Sequence, residues 1–152
     1  MKASLNWVQN MKFECHNGEH LTHIDATPEH GGLSSAPTPK ELVLNAMMGC
    51  TAMDVVAILT KMRQDISSFS MEINAEKTKE YPVHFKTAQL VFDLKGQLDR
   101  EKVIKAVDSS LTKYCGVNYM ISKTCHITFK VILNNETIKT GPVQFIEPKT
   151  EE

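Results

Sequence analysis

Two cysteines carry the chemistry for which this chain is best equipped. Cys50 lies in the middle of an apolar stretch (NAMMGCTAMDVV), and Cys115 follows a Lys-Tyr pair (KYCGV) about 65 positions later. With only four Cys in 152 residues, and in a reducing compartment, a thiol is a nucleophile, a redox centre, a metal ligand or a small buried hydrophobe. Cys15 and Cys125 carry nothing that separates them from the last class. Metal ligation is the competing chemistry, because Cys15, His16, His20 and His23 crowd one short segment, and imidazole and thiolate are zinc ligands. In a hairpin turning at Asn17-Gly18, Cys15 pairs with His20 while His16 and His23 point to the other face. No CxxC or HxxxH pair completes a tetrahedral set, so no metal is expected and no cofactor is implied.

The rest of the composition narrows the partners. Seventeen Lys+Arg against 18 Asp+Glu give a net charge of −1, without a block of like charge, so neither nucleic acid nor an anionic membrane is an expected partner. The start (MKASLNWVQN) does not read as a signal peptide. The longest wholly aliphatic stretch, Val55 to Leu59, is far short of the roughly 20 apolar residues of a membrane span. A soluble, cytoplasmic protein is expected. With 41% hydrophobic residues the chain can bury a core without disulfides, and residues 1–152 are expected to form a single domain.

The elements that must position the thiols follow from periodicity. Residues around Leu5–His16 and Glu19–Ala26 flank Asn17-Gly18, a pair suited to a hairpin turn. A Pro-, Gly- and Ser-rich loop (TPEHGGLSSAPTP) then leads to a helix. Thr38 as N-cap, Pro39 at the first helical position and Glu41 three residues after the cap make a capping box, and the helix is expected to run to about Gln64. Leu42, Ala46, Gly49, Cys50, Met53, Ala57 and Leu59 make it apolar or small on much of its circumference, so it should be central and covered nearly all round. The small cluster Ala46, Gly49, Cys50, Ala52 allows close approach by another backbone, and a second copy of the same helix suits it. Two alternating strands follow, one with Phe69, Met71, Ile73 and Ala75 inward and one with Ala88, Leu90, Phe92 and Leu94 inward, separated by a turn near Glu80-Tyr81-Pro82. Asp99 caps a second helix to about Tyr114, Cys115-Gly116 marks its stop, and a last strand (His126 to Leu133) precedes a polar tail whose final residues are expected to be mobile. The order is α+β.

The segment Pro39 to Leu59 (PKELVLNAMMGCTAMDVVAIL), then Lys113-Tyr114-Cys115, then a strand, resembles the OsmC/Ohr family of osmotically inducible and organic hydroperoxide resistance proteins. The resemblance rests on the joint occurrence of the Pro-(x)-Glu helix start, small residues before the first Cys, the spacing to the second Cys and the strand-helix order. It implies an OsmC-like α+β fold: antiparallel sheets, a long central helix and a second helix, in an intertwined homodimer. It further implies a two-cysteine thiol peroxidase for cellular peroxide defence. By resemblance Cys50 matches the peroxidatic cysteine and Cys115 the resolving one, with an organic hydroperoxide as substrate and an external dithiol as reductant.

Two departures bear on activity. Peroxidase members of the family carry an arginine in the N-terminal strands that stabilises the thiolate, whereas this chain has no Arg before Arg63. Arg63 lies roughly 20 Å along the helix from Cys50, out of reach. Lys12, His20 and His23 are the available substitute cations, and hydroperoxide reduction is expected to be weak at pH 7 and to rise with pH. The family's acidic residue falls at the helix start, where Lys40 stands at the matching position and Glu41 is the nearest carboxylate. Nine residues separate Glu41 from Cys50, a rotation of about 900° or half a turn net, so a helix break or a partner subunit must bring Glu41 to a Cys50. Asp54, at i+4, shares the face of Cys50, where it either disfavours a thiolate, orients a Lys or His from elsewhere, or sits in an interface hydrogen bond. A non-catalytic family member that binds a small hydrophobic ligand at the dimer interface, beside Met47, Met48 and Met53, is the alternative reading.

Overall fold

The computed structural model describes residues 1–147 and divides into two compact units, Met1–Asn45 and Ala46 onward. The final tail residues 148–152, expected to be mobile, lie outside the described residues.

The first unit contains a three-stranded antiparallel sheet, β1 (Ser4–Gln9), β2 (Lys12–Asn17) and β3 (His20–Ile24), in the order β1-β2-β3. The segment read as one flank of a hairpin is two strands, because Asn10 adopts φ 48° and turns the chain there. Asn tolerates this left-handed region better than other non-glycine residues. The Trp7 indole N–H closes the turn by donating to Asn10 O at 2.8 Å. At the second hairpin the turn is Gly18-Glu19, with Gly18 at φ 64° and Asn17 still paired to His20. That one-residue offset corrects the pairing of Cys15, which stands opposite Thr22 and not opposite His20.

Asp25 organises the loop after β3. Its carboxylate accepts hydrogen bonds from Ala26 N (2.8 Å), Leu33 N (3.2 Å), Ser35 N (3.0 Å) and Ser35 Oγ (2.9 Å). These bonds, led by the Ser35 amide, hold its pKa at about 2. The loop delivers the chain to α1 (Pro39–Lys61) through the expected capping box: Thr38 N donates to Glu41 at 2.6 Å, and Glu41 N to Thr38 Oγ1 at 3.4 Å. The helix stops at Lys61, three residues short of expectation. Arg63 takes φ 54°, and Gln64 N donates back to Leu59 O at 3.0 Å, a Schellman-type end with arginine in the position usually given to glycine.

In the second unit β4 (Asp65–Lys77) and β5 (Phe85–Gln97) form the long antiparallel pair read from the sequence. β6 (His126–Leu133) lies parallel to β5, and β7 (Glu136–Pro142) closes the sheet, in the order β4-β5-β6-β7. The sheet is thus mixed and not wholly antiparallel, because the helical crossover between β5 and β6 returns the chain in the same direction. β7 is an addition to the sequence reading. Asn134 and Asn135, at φ 50° and 70°, make the turn that folds it back on β6. The crossover holds α2 (Arg100–Ser109), capped by Asp99 accepting from Lys102 N at 2.9 Å, a π-helical turn (Ser110–Tyr114), and a short α3 (Gly116–Ser122) that was not expected. The core draws Val55 and Leu59 from α1, Leu90, Phe92 and Leu94 from β5, Val103 and Val107 from α2, and Val131 from β6, all fully buried.

α1 departs from the expected all-round cover. Within one chain only the i+4 stripe Met47, Thr51, Val55, Leu59 is buried, whereas Ala46, Gly49, Met53, Val56 and Thr60 are exposed, Met53 by 75%. By length and composition the helix could also cross a membrane, with a mean hydropathy of 1.9 over its most apolar window.

Candidate active site

Cys50 and Cys115 reach each other by different routes. Cys50 is a half-buried residue of α1, one position before the buried stripe residue Thr51. Cys115 is set by the π-helical turn, whose closing bond runs from Cys115 N to Ser110 O at 3.0 Å. The wider turn releases Cys115 into an extended conformation (φ −72°, ψ 93°), from which its sulfur caps α3 by accepting from Asn118 N at 3.4 Å. There Cys115 is only 1% exposed and lies beside the Cys50 thiol. Burial, and then its hydrogen bond with Cys50, push the Cys115 thiol up to about 11, so at neutral pH it keeps its proton.

A buried polar cluster surrounds Cys115. Thr51 Oγ1 lies 3.4 Å from its sulfur and 3.0 Å from Met47 O. Asn118 Nδ2 donates to Thr51 Oγ1 at 2.7 Å and to Met47 O at 3.3 Å. Thr51 and Asn118 are both fully buried, and Asn118 Oδ1 has no hydrogen-bond partner. Neither residue was singled out in the sequence. The available signals were a Thr at i+4 from Met47 on an otherwise apolar helix, and an Asn at the capping distance of three from Cys115.

The other sequence candidates have the following places and partners. Glu41 bonds the backbone of Thr38 in the capping box of α1, and that helix is unbroken to Lys61, which removes the helix break as a way of turning Glu41 toward Cys50. Asp54 accepts from Ser110 Oγ at 2.7 Å, a tie between α1 and the π-helical turn that leads to Cys115. Lys12 stands on β2, and His20 and His23 on β3. His23 and His16 face Glu14 from the same side of the sheet, at 3.5 and 4.0 Å. Among the described residues no group of three or more His, Cys, Asp or Glu is arranged to hold a metal ion. Cys125 is buried immediately before β6, where burial raises its pKa, and Cys15 sits in mid-β2.

A long helix bearing one thiol, a mixed sheet and a crossover bearing the second thiol define an OsmC-like α+β protein. The OsmC-like protein family matches residues 31–130, and this chain belongs to it. The chain is 36% identical over 129 residues to Protein YhfA of Escherichia coli strain K12, which spans 84% of this chain and 94% of that protein. A hypothetical protein from Aquifex aeolicus VF5 shares the fold at 20% identity, with a TM-score of 0.74 over 88% of this chain and 96% of that one. The organic hydroperoxide resistance protein OsmC of Legionella pneumophila shares it at 17% identity, with a TM-score of 0.66 over 86% and 95%. In a fold of this family α1 is a core helix, not a membrane span.

Proposed function

We propose that the protein is a cytoplasmic thiol peroxidase that reduces organic hydroperoxides with Cys50 and Cys115, acting as a homodimer of single OsmC-like domains in peroxide defence. The observation that carries this reading is the asymmetry of the thiol pair. Cys115 is buried, which pushes its thiol up and favours its protonated form, whereas Cys50 is only half-buried. The Cys50 thiolate attacks the distal oxygen of ROOH, the O–O bond breaks, and the alkoxide leaves as alcohol after taking a proton from solvent. Cys50 becomes a sulfenic acid. The Cys115 sulfur then displaces its hydroxyl, the Cys115 proton leaves with that hydroxyl as water, and a Cys50–Cys115 disulfide results. An external dithiol returns both sulfurs to thiols by exchange and is itself oxidised to a disulfide.

The uncovered face of α1 supports the dimer. Ala46, Gly49, Met53, Val56 and Thr60 repeat at 3-4-3-4 spacing, the seam of two packed helices. A Cβ added at Gly49 would meet nothing within 4 Å, so no contact within the chain demands the small residue and the space beside it is open to an approach from outside. Glu41 enters the proposal as the acidic group supplied to Cys50 by the partner subunit. Of the substitute cations, His23 is already turned to Glu14, which favours Lys12 or His20.

Apolar and small neighbours of Cys50 on α1 favour a bulky hydroperoxide over a small, well-hydrated one. The test is the kcat/KM for cumene hydroperoxide against that for hydrogen peroxide, with lipoamide or another dithiol as reductant. A preference of at least about tenfold for the organic substrate, abolished in Cys50→Ser, is expected. Turnover that survives Cys50→Ser would refute Cys50 as the attacking thiol, and no turnover in the native chain would leave the non-catalytic binding protein as the better reading.

A further inference from the structure

We propose that Thr51 is a hydroxyl switch for the resolving thiol, with Asn118 as the residue that positions its oxygen. The proposal rests on the two-thiol reading above. Thr51 has one hydroxyl proton and two acceptors in reach, Met47 O at 3.0 Å and Cys115 Sγ at 3.4 Å. While Cys115 is a thiol, the carbonyl is the stronger and nearer acceptor and takes the proton. When Cys115 gives up its proton to attack, its sulfur becomes an anion in a dry site. A hydrogen bond to an anion is about twice as strong as one between neutral groups, so the hydroxyl rotates to the sulfur.

The rotation leaves no carbonyl unpaired, because inside α1 Met47 O already accepts the Thr51 N–H of the helix ladder. Asn118 adds a second donor to that carbonyl and fixes the Thr51 oxygen. Its Nδ2 donates to Met47 O at 3.3 Å and to Thr51 Oγ1 at 2.7 Å, so the Thr51 oxygen is held with its lone pair occupied and its proton free to turn. The amide orientation is fixed by this pairing, since Met47 O can only accept and must face Nδ2. The same residue's backbone N–H is the second donor to the sulfur, at 3.4 Å. Asn118 Oδ1, buried with no partner, indicates that the side chain is placed for its Nδ2 contacts at the expense of its own acceptor. Together they give a thiol that is protonated at rest two donors for the moment of its attack. In that step the S–O bond of the Cys50 sulfenic acid breaks, the S–S bond forms, and the Cys115 proton leaves in water. The Cys50 sulfur is reduced and the Cys115 sulfur oxidised, with no further reagent.

Thr51→Val removes the hydroxyl and keeps the branched shape, and Thr51→Ser restores the hydroxyl without the methyl. Rapid-quench mass spectrometry on the reduced protein follows Cys50 modification and disulfide formation as separate steps. One equivalent of cumene hydroperoxide is used in one series and diamide in another, which places a displaceable group on Cys50 without a peroxide. The expected result is Cys50 modification within about twofold of the parent in Thr51→Val, disulfide formation slowed about tenfold with its pH profile moved to higher pH, and near-parent behaviour in Thr51→Ser. A parent chain that resolves after diamide but does not react with hydroperoxide would end the peroxidase reading and leave the switch standing on the diamide series. Disulfide formation unchanged in Thr51→Val, equally slow in Thr51→Val and Thr51→Ser, or absent from the parent with diamide would overturn the switch.

Discussion

A charge at Met53 should dissociate the dimer while leaving the single chain folded. Met53 is 75% exposed on α1, at the centre of the seam Ala46, Gly49, Met53, Val56, Thr60, so a glutamate there meets water in the monomer and costs its fold little. In a dimer built on this seam each Met53 loses its contact with water. Burial of a Met side chain contributes about 1.5–3 kcal/mol, hence about 3–6 kcal/mol for the two symmetry-related copies. Met53→Glu removes that contribution and adds the desolvation of two like charges near the two-fold axis. At 1.4 kcal/mol per factor of ten, the dissociation constant should rise by at least about a hundredfold. Sedimentation velocity across nanomolar to micromolar concentration, with circular dichroism as the fold control, measures it. Native-like dimerisation of Met53→Glu would refute the seam, and with it the delivery of Glu41 by the partner subunit.

Two further predictions follow from titrating groups. The Cys115 pKa is raised from 9.0 to about 11, so its contribution to stability is whole below pH 9 and is lost as pH rises through 11; the stability difference between the native chain and Cys115→Ala should be about 2 kcal/mol smaller at pH 10.5 than at pH 8 in urea unfolding. Asp25 has the opposite sign. Its pKa is lowered from 3.8 to about 2, so the contribution it makes above the higher value is lost as pH falls toward the lower one, and Asp25→Asn should flatten the acid limb of the unfolding curve and speed hydrogen exchange at Leu33 and Ser35.

The legible parts of the fold were those with strong local signals. The capping box at Thr38 and Glu41, the alternation of β4 and β5 and the Asp99 cap are decided within a few residues of chain, and the structure holds them in place. β7 was missed because its inward residues are interrupted by Thr, Lys and Gly (ETIKTGP) and its existence depends on pairing with β6. α3 was missed because a π-helical turn disguises the break before it as a plain helix end. The two thiols were legible through resemblance, and the structure puts them side by side. Thr51 and Asn118 were not, since their meaning lies in hydrogen bonds across 64 and more residues of separation. The exposed face of α1 shows the same limit from the other side, because apolar periodicity marks a face suited to cover without saying what covers it.

The central claim is that Cys50 and Cys115 form one redox pair, and disulfide mapping after a stoichiometric dose of organic hydroperoxide tests it most directly. Peptide mass spectrometry on the alkylated digest should find a single new crosslink, Cys50–Cys115, formed as the hydroperoxide is consumed, with Cys15 and Cys125 still carrying the alkyl label. Cys50 recovered reduced while Cys15 or Cys125 is oxidised would contradict the account.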